Sequence, residues 1–487
     1  MDVLFLVPPT KKNGKVTNIP RDLVYGCWCK GKRIAGVTFP PVSQVQTATV
    51  VRDAGHSVTF IDAAAEGLTI EEILPRICDY QIVVMQTSTM TVKHDAEILK
   101  TLKQQNSELI TVVNGSHPTF GPEHTVSLDG IDIAIRREAE FILRDLCDAL
   151  DRKDNSWRKV KGIAFRDNDG KPVVNEYYPL IKNLDELPCP DRMMLPKNVD
   201  YYNPIVKRMP YTTMYSSRGC PGLCTYCSSP PFYGNKVRMR SAQKMLEDVR
   251  NVINQGYKEI FFRDENFTSS KKRVMEFCQG IIDEKLDITW IVSSRADYFD
   301  REMIEKMKEA NCHMVRIGVE TGSPKLLENV KKEVTIDQVR QVFKWTNEIG
   351  VGTHAHLMIG MPGETLETIQ ETIDFVKEIK PTVITCGICT PYAGTELFEQ
   401  VRKNYPEIGD GSDLNVEILH TQAFFNQAYT ELDHETLSKQ LRRLYMEFYM
   451  SPRYILNKLK NINSFDELKR VSMAATQVFD FVLSGDD

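Results

Sequence analysis

No apolar run in the 487-residue chain approaches the ~20 residues that a bilayer-crossing helix needs; stretches such as Val3 to Val7 or Ile82 to Met85 are far shorter. A membrane span is therefore not expected. Charge of one sign is not in excess either: 61 basic residues stand against 66 acidic ones, a net of −5, so no general attraction to nucleic acid or anionic lipid is expected. The opening MDVLFLVPPT has no basic n-region and no small-residue cleavage site, and reads as a short strand stopped by Pro8 and Pro9. A cytoplasmic protein is expected. Twelve cysteines in such a chain do not form a disulfide framework, because reducing compartments keep thiols free. Nine are scattered or loosely paired, whereas Cys220, Cys224 and Cys227 lie within eight residues and have to be tested as metal ligands. At about 150 residues per domain the length suggests roughly three domains.

Residues 1–150 alternate strand and helix. Short β-branched runs at Asp2 to Val7, Ser57 to Asp62, Gln81 to Thr87, Leu109 to Gly115 and Ile131 to Arg136 read as buried parallel strands. Helices are predicted over Val45 to Asp53, Thr69 to Cys78, Val92 to Gln104 and Glu138 to Leu150. The fold class is α/β, opening with a doubly wound, Rossmann-like domain whose ligands sit at the carboxyl ends of its strands. Two loops stand there, Gln86 to Met90 and Asn114 to Phe120, and the long insertion Lys11 to Pro41, with Cys27-Trp28-Cys29, reads as a lid or substrate loop. Residues 151–207 read as a linker with a β-hairpin around Asp167-Asn-Asp-Gly170. Across 208–410 the alternation resumes, with strands predicted near 212–217, 258–263, 288–294, 313–319, 353–359 and 382–389. Six such units suggest a partial (β/α)6 barrel with chemistry at the C-terminal strand ends. Residues 411–487 read as a helical region without strands.

The strongest chemical signal is Arg218-Gly-Cys220-Pro-Gly-Leu-Cys224-Thr-Tyr-Cys227. Three thiolates on one loop can converge on a single cluster, and Gly219 and Gly222 let the backbone wrap closely. A structural zinc site wants a fourth ligand, usually from a second pair, and no tight Cys/His pair follows at finger-like spacing. A [4Fe–4S] cluster with one open iron is the better reading.

CxxxCxxC with Tyr226 before the third cysteine, at the end of a first barrel strand, resembles the radical S-adenosylmethionine (SAM) superfamily. The strand ends Phe262-Arg-Asp-Glu-Asn-Phe267, Ser293-Ser-Arg-Ala-Asp297, Gly318-Val-Glu-Thr-Gly-Ser323 and Gly360-Met-Pro-Gly-Glu364 agree with it. The resemblance implies that Cys220, Cys224 and Cys227 hold the cluster. It also implies that Asp264 or Glu265 holds the SAM amino group, Arg295 its carboxylate, Glu320 the ribose or amino group, and Ile359 the adenine, with Tyr226 beside the cluster. A doubly wound domain ahead of the barrel is similar to the cobalamin (B12)-binding class of that superfamily. There the loops Thr87-Ser88-Thr89 and Gly115-Ser116-His117-Pro-Thr-Phe120, with Glu138 of Arg137-Glu-Ala-Glu140, match the cobalamin-contacting forms. The Asp-x-His-x-x-Gly motif, whose histidine replaces cobalamin's lower base elsewhere, is absent, and His117 is expected to pack or hydrogen-bond rather than ligate cobalt. Cys386 and Cys389 are expected to pack; His354 and His356 share one face of a strand and point either into the barrel or outward.

The implied activity is methylation of an unactivated carbon: one SAM gives its methyl through cobalamin, and a second yields the 5′-deoxyadenosyl radical that removes a substrate hydrogen. Cofactors do the hard chemistry and the protein positions them. The alternatives are a ring-forming or rearranging enzyme of tetrapyrrole, hopanoid or tetraether-lipid type and, from another class, a non-enzymatic cobalamin or metal sensor. A reductant such as flavodoxin or ferredoxin is the expected partner, and nucleic acid is not. The substrate, whether lipid, tetrapyrrole, small metabolite or protein residue, is not readable from the sequence.

Overall fold

The structure, a computed structural model, describes residues 1–9, 11–12, 15–16, 37–89, 91–411, 426–460 and 465–484. Cys27-Trp28-Cys29 and most of the expected lid lie outside the described residues.

Five runs of β-branched and aliphatic residues form β1 (Asp2–Val7), β2 (Ser57–Asp62), β3 (Ile82–Thr87), β4 (Ile110–Gly115) and β5 (Ile133–Arg136). All pair in parallel, in the order β2-β1-β3-β4-β5. Side chains alternate between the two faces. Val3, Phe5, Val84 and Ile135 pack with helices α1 (Val42–Asp53) and, beyond it in the chain, α3 (Ala139–Asp151) on one side. Leu4, Leu6, Met85 and Val113 pack with α2 (Val92–Gln105) on the other. The sheet is thus doubly wound, and its order reverses between β1 and β3, where such sheets open a crevice at the strand ends.

Two expectations change. The hairpin β6 (Ile163–Arg166) and β7 (Pro172–Val174) is no free-standing connector; β6 pairs antiparallel with β5, extending the sheet to seven strands. The helix expected over Thr69 to Cys78 is a single turn, Ile70–Ile73, followed by a 3-10 stretch, Leu74–Asp79. Pro75 sits at its start and cannot donate the backbone hydrogen bond that a continuing α-helix requires.

The second sheet is wholly parallel: β8 (Tyr211–Met214), β9 (Glu259–Phe262), β10 (Thr289–Ser294), β11 (Cys312–Glu320), β12 (Gly352–Ile359) and β13 (Val383–Ile388), in chain order. Helices α4 (Ala242–Asn254), α5 (Lys271–Asp283), α6 (Arg301–Glu309), α7 (Ile336–Ile349), α8 (Leu366–Ile379) and α9 (Glu396–Asn404) connect or follow the strands. Caps set their starts: Thr365 accepts from the Thr368 N–H at 3.3 Å ahead of α8, a cap that stabilises by roughly 1 kcal/mol. Ile260, Phe262, Trp290, Val292, Ile317 and Leu357 turn outward into the helix layer. Intervening residues therefore face the lumen, and that is what delivers polar groups to the site.

A half-barrel leaves an open strand edge, which needs cover. Here α10 (His434–Tyr449) supplies it: Tyr445 Oη takes a hydrogen bond from Cys386 N (3.0 Å) and donates to its carbonyl (3.2 Å), and Tyr449 Oη does the same with Ile384 (3.2 and 2.6 Å). Helices α11 (Pro452–Lys460) and α12 (Phe465–Ser484) follow. Cys386 and Cys389 are buried in separate apolar clusters, and burial pushes both thiols up, Cys389 to about 12; they pack, as expected. Among the described residues no helix is long and apolar enough to cross a membrane.

Candidate cofactor site

The segment from β8 into the cysteine loop is clamped before the first thiol. Asp264, at the end of β9, accepts from the Ser216 N–H at 2.6 Å and from the Ser216 hydroxyl, while Arg273 of α5 donates to the Ser216 carbonyl at 3.0 Å and the Phe267 carbonyl at 2.7 Å. Farther on, Thr225 N–H bonds the Val330 carbonyl (3.0 Å) and Leu397 N–H the Thr225 carbonyl (2.8 Å). Gly219 takes φ +90°, and a Cβ there would stand 2.5 Å from the Lys236 carbonyl oxygen, so only glycine fits. Cys220, Cys224 and Cys227 are half-buried, and burial pushes all three thiols up. Among the described residues no three Cys, His, Asp or Glu side chains are already disposed around a metal position, yet the three thiols lie within electrostatic reach of each other. Soft thiolates on a wrapped, glycine-containing loop, with Arg295 near enough to draw out negative charge at Cys220 and Cys224, suit an iron–sulfur cluster.

Around this loop the structure gathers most of the residues singled out in the barrel. Arg295 forks onto Asp297 with two 2.9 Å bonds, which outweighs the burial that opposes its charge and raises its pKa. Among the described residues its Nη1 is enclosed without a hydrogen-bond partner, and it lies 2.4 Å from where a Cβ on Gly222 would stand, so Gly222 makes room for it. Glu320 sits at the end of β11, where the register slips by a bulge and its own φ is +65°. That turn aims its carboxylate at Lys332 Nζ, 2.6 Å away, with Tyr226 Oη 3.5 Å from the same ammonium. Gly318 is obligatory: a Cβ there would stand 2.4 Å from Glu320 Oε1 and 2.8 Å from Lys332 Nζ.

Two residues are placed otherwise than expected. Asp264, buried and engaged by Ser216 and Arg273, positions the loop; Glu265 is the half-buried acid whose charge reaches Cys220. Ile359 packs with Leu357 and Ala355 in the core beneath the helices, and strand alternation gives the lumen face to Met358, which joins Tyr226 and Tyr429. Residues missed from sequence are Lys332, Asn266, whose Oδ1 accepts from Ser294 and ties β9 to β10, and Asn426, which donates to the Gly360 and Cys389 carbonyls at 2.6 and 3.0 Å. Glu364, enclosed at the end of β12 and bonded by Thr368 Oγ1 (2.9 Å), has its carboxyl raised by burial to about 7.

At the crevice of the first sheet the residues are small. Thr87 Oγ1 donates to Asp95 at 2.7 Å, and Ser88 N–H to Thr91 Oγ1 at 3.2 Å. Gly115 takes φ +125°, and a Cβ would meet the Thr87 carbonyl oxygen at 2.2 Å, so β3 and β4 approach too closely here for any side chain. Among the described residues Ser116 Oγ is enclosed without a hydrogen-bond partner, a polar atom available to a ligand in the loop that the resemblance assigns to cobalamin. His117 has both ring nitrogens engaged, Nδ1 with Thr89 Oγ1 (3.3 Å) and Nε2 with His124 Nδ1 (2.9 Å). Burial and His124 lower its pKa to about 4. It has no free nitrogen for a metal. Glu138 is not turned to a ligand: its oxygens accept from Arg218 (3.1 Å), from Arg238 (2.8 and 2.9 Å) and from the Ile181 N–H (2.7 Å), while Glu140 accepts from Arg218 beside it. Those ion pairs bind the first sheet to the segment just ahead of Cys220. Phe120, from the β4 loop, packs edge-on against Phe232 at 6.3 Å, so the crevice of the first sheet and the cysteine loop of the second face one another.

Residues 214–376 match the family model of the radical SAM superfamily, and residues 35–146 that of the B12 binding domain. The chain is 33% identical over 447 residues to an uncharacterized methyltransferase of Pyrococcus horikoshii, covering 89% of this chain and 93% of that one. It is 28% identical over 380 residues to an anaerobic magnesium-protoporphyrin IX monomethyl ester cyclase of Rubrivivax gelatinosus, covering 76% and 68%. In fold it resembles the radical SAM methyltransferase TsrM of Kitasatospora setae, solved with cobalamin and a [4Fe–4S] cluster, with TM-score 0.69, 15% identity and coverage of 98% and 99%. It likewise resembles the cobalamin-dependent SAM radical enzyme OxsB, with TM-score 0.70, 17% identity and coverage of 100% and 73%. With a three-cysteine loop and a glycine-and-hydroxyl crevice facing each other on one chain, the protein belongs to the cobalamin-binding radical SAM enzymes, whose cofactors are a [4Fe–4S] cluster, SAM and cobalamin.

Proposed function

We propose that the protein is a C-methyltransferase that acts on an unactivated carbon and consumes two SAM molecules per turnover. The observation that carries the reading is the apposition of the two faces: Phe120 on Phe232, and Glu138 and Glu140 on Arg218, hold the crevice of the first sheet against the cysteine loop. A methyl carrier and a radical source can then serve one substrate carbon. When bound, cobalamin supplies methyl transfer and the cluster supplies the electron that cleaves SAM.

The chain's own residues would do the positioning. Cys220, Cys224 and Cys227 are the proposed cluster ligands, leaving one iron for SAM. Arg295, through the unpartnered Nη1, would hold the SAM carboxylate, and Glu265 its amino group. Glu320, paired with Lys332, would take the ribose hydroxyls, and Tyr226 lines the same space. Thr87, Ser88, Thr89, Gly115 and Ser116 would contact cobalamin by backbone and hydroxyl groups, with His117 packed behind them. A flavodoxin or ferredoxin is the proposed reductant and the cytoplasm the proposed compartment, because thiols kept for a cluster need reducing surroundings.

The test is stoichiometric. Each product formed should release one S-adenosylhomocysteine and one 5′-deoxyadenosine, and label from methyl-labelled SAM should enter the product. A product of unchanged carbon count, with 5′-deoxyadenosine but no coupled S-adenosylhomocysteine, would instead support ring closure, the activity for which the Rubrivivax relative is named.

A further inference from the structure

Inside the barrel, beside the Glu320–Lys332 pair, the lumen holds polar groups that the chemistry above does not use. His354 and His356 both face inward from β12, with rings stacked 4.2 Å apart at 27°. Each lies against Thr385 Oγ1 of β13, His354 through Nε2 at 3.1 Å and His356 through Nδ1 at 2.8 Å. One hydroxyl has one hydrogen, so at least one of the imidazoles donates to it. Their other nitrogens, His354 Nδ1 and His356 Nε2, are enclosed with no hydrogen-bond partner among the described residues. Arg316 lies opposite His354 in register, its Nη1 3.1 Å from Ser293 Oγ and its guanidinium 4.7 Å over the Phe261 ring. Arg263, from the end of β9, stacks on Phe39 (4.3 Å) and on Phe261 (5.1 Å). Although it is 9% exposed, its guanidinium has no hydrogen bond or ion pair among the described residues.

Each of these groups is costly by itself. An enclosed polar atom left unpaired costs about 1–3 kcal/mol, and the two imidazole nitrogens incur that cost side by side. Their concentration in one space marks a site rather than packing. Its sign is clear as well. Lys332 is neutralised by Glu320, Glu265 is assigned above to the SAM amino group, and Glu259 at the base of the barrel is already held by Lys207 N, Arg208 N, Thr289 Oγ1 and His313 Nε2. Burial and Arg316 hold both histidines neutral, so they bring hydrogen bonds and the arginines bring charge. Thr385 is exposed, so the space opens outward at β13.

We infer that this part of the lumen docks an oxyanion of the substrate, a carboxylate or a phosphate ester, with Arg263 and Arg316 meeting its charge and His354 and His356 its remaining hydrogen bonds. The inference rests on the proposed function, since it gives that site a substrate class: an acid anchored deep in the barrel with its reacting carbon reaching toward the cysteine loop.

The test is a calorimetric titration of the reconstituted, cluster- and cobalamin-loaded protein with phenyl phosphate, benzoate and benzyl alcohol, at saturating SAM so that the SAM carboxylate is not the ligand. At least one acid should bind about tenfold or more tightly than the alcohol, Arg263→Gln should lose about tenfold, and Arg263→Lys should retain most of the affinity. Preference for one acid names the group; binding of both supports a general oxyanion site. Thr385→Val, at an exposed position, should weaken binding about fivefold and serves if Arg263→Gln does not fold. Failure of both acids to bind, equal binding of benzyl alcohol, or an unchanged affinity in folded Arg263→Gln would overturn the inference. 5′-Deoxyadenosine formation, followed in parallel, keeps the two proposals apart. SAM cleavage without acid binding sinks only the lumen assignment, and acid binding without cleavage sinks only the radical reading.

Discussion

The two sheets present opposite kinds of surface at their carboxyl ends. The crevice of the first is made of hydroxyls, a glycine and a neutral histidine: Thr87, Ser88, Gly115, Ser116 and His117. The lumen of the second is made of charge: Arg295 on Asp297, Glu320 on Lys332, and Arg263 stacked on Phe39 and Phe261. A broad cofactor held by close backbone approach needs small residues and room; a zwitterion such as SAM needs fixed charges in a place shielded from water. One chain therefore solves two recognition problems by different physics, and each half can be attacked by the means suited to it.

The sharpest separation comes from removing the thiols. Replacing Cys220, Cys224 and Cys227 together by Ala should eliminate bound iron and 5′-deoxyadenosine formation while leaving cobalamin absorbance in place; full iron content in that variant would contradict the cluster assignment. Glu320→Gln should follow, lowering 5′-deoxyadenosine formation by about tenfold or more without changing cobalamin binding, because one carboxylate that meets SAM and balances Lys332 is lost. A rate unchanged from wild type would leave Glu320 a merely structural partner of Lys332.

A third effect belongs to the neutral crevice and is read in pH. His117 has a folded-state pKa lowered to about 4, below its ordinary 6.5, so the unfolded chain binds the proton more readily. Its contribution is whole above about pH 6.5 and is lost as pH falls toward 4, up to roughly 3 kcal/mol. Thermal melts of the protein should show that acid loss, and His117→Gln should flatten it; parallel curves would show the charge change to lie elsewhere. The smallest expected effect is none at all: His117→Ala should leave the electron paramagnetic resonance spectrum of the cob(II)alamin form unchanged, since both ring nitrogens are already engaged. Loss of an axial nitrogen splitting in that variant would mean the crevice coordinates cobalt after all.

The comparison also explains what could be read from the chain alone. Strands of both sheets lie within three residues of their expected places, because buried parallel strands advertise themselves as β-branched runs between turns. The cysteine loop is local and hence visible. Alternation carries a further signal: Phe262 turns outward, so Asp264 follows it away from the lumen and Glu265 follows Phe261 into it, and the same rule turns Ile359 outward. Long-range pairings carry no such signal. Nothing near Lys331-Lys332 says which lysine turns inward; Lys331 reaches Glu396 at the surface and Lys332 reaches Glu320 in the lumen. Glu138 resembles a cofactor contact until Arg218 and Arg238, 80 and 100 residues away, are seen to hold it.

That last feature makes the enzyme indivisible. A fragment beginning after residue 207 would carry Arg218 and Arg238 into a surface designed for carboxylates it no longer has, and the complementary fragment would keep Glu138 and Glu140 side by side with no cation between them. Breaking a buried pair from one side costs about 3–5 kcal/mol, a large share of a domain's whole stability. The bond is a rivet rather than a hinge: it sits at the root of the cysteine loop, so the distance between the two cofactor faces is set when the protein folds and not when the substrate arrives.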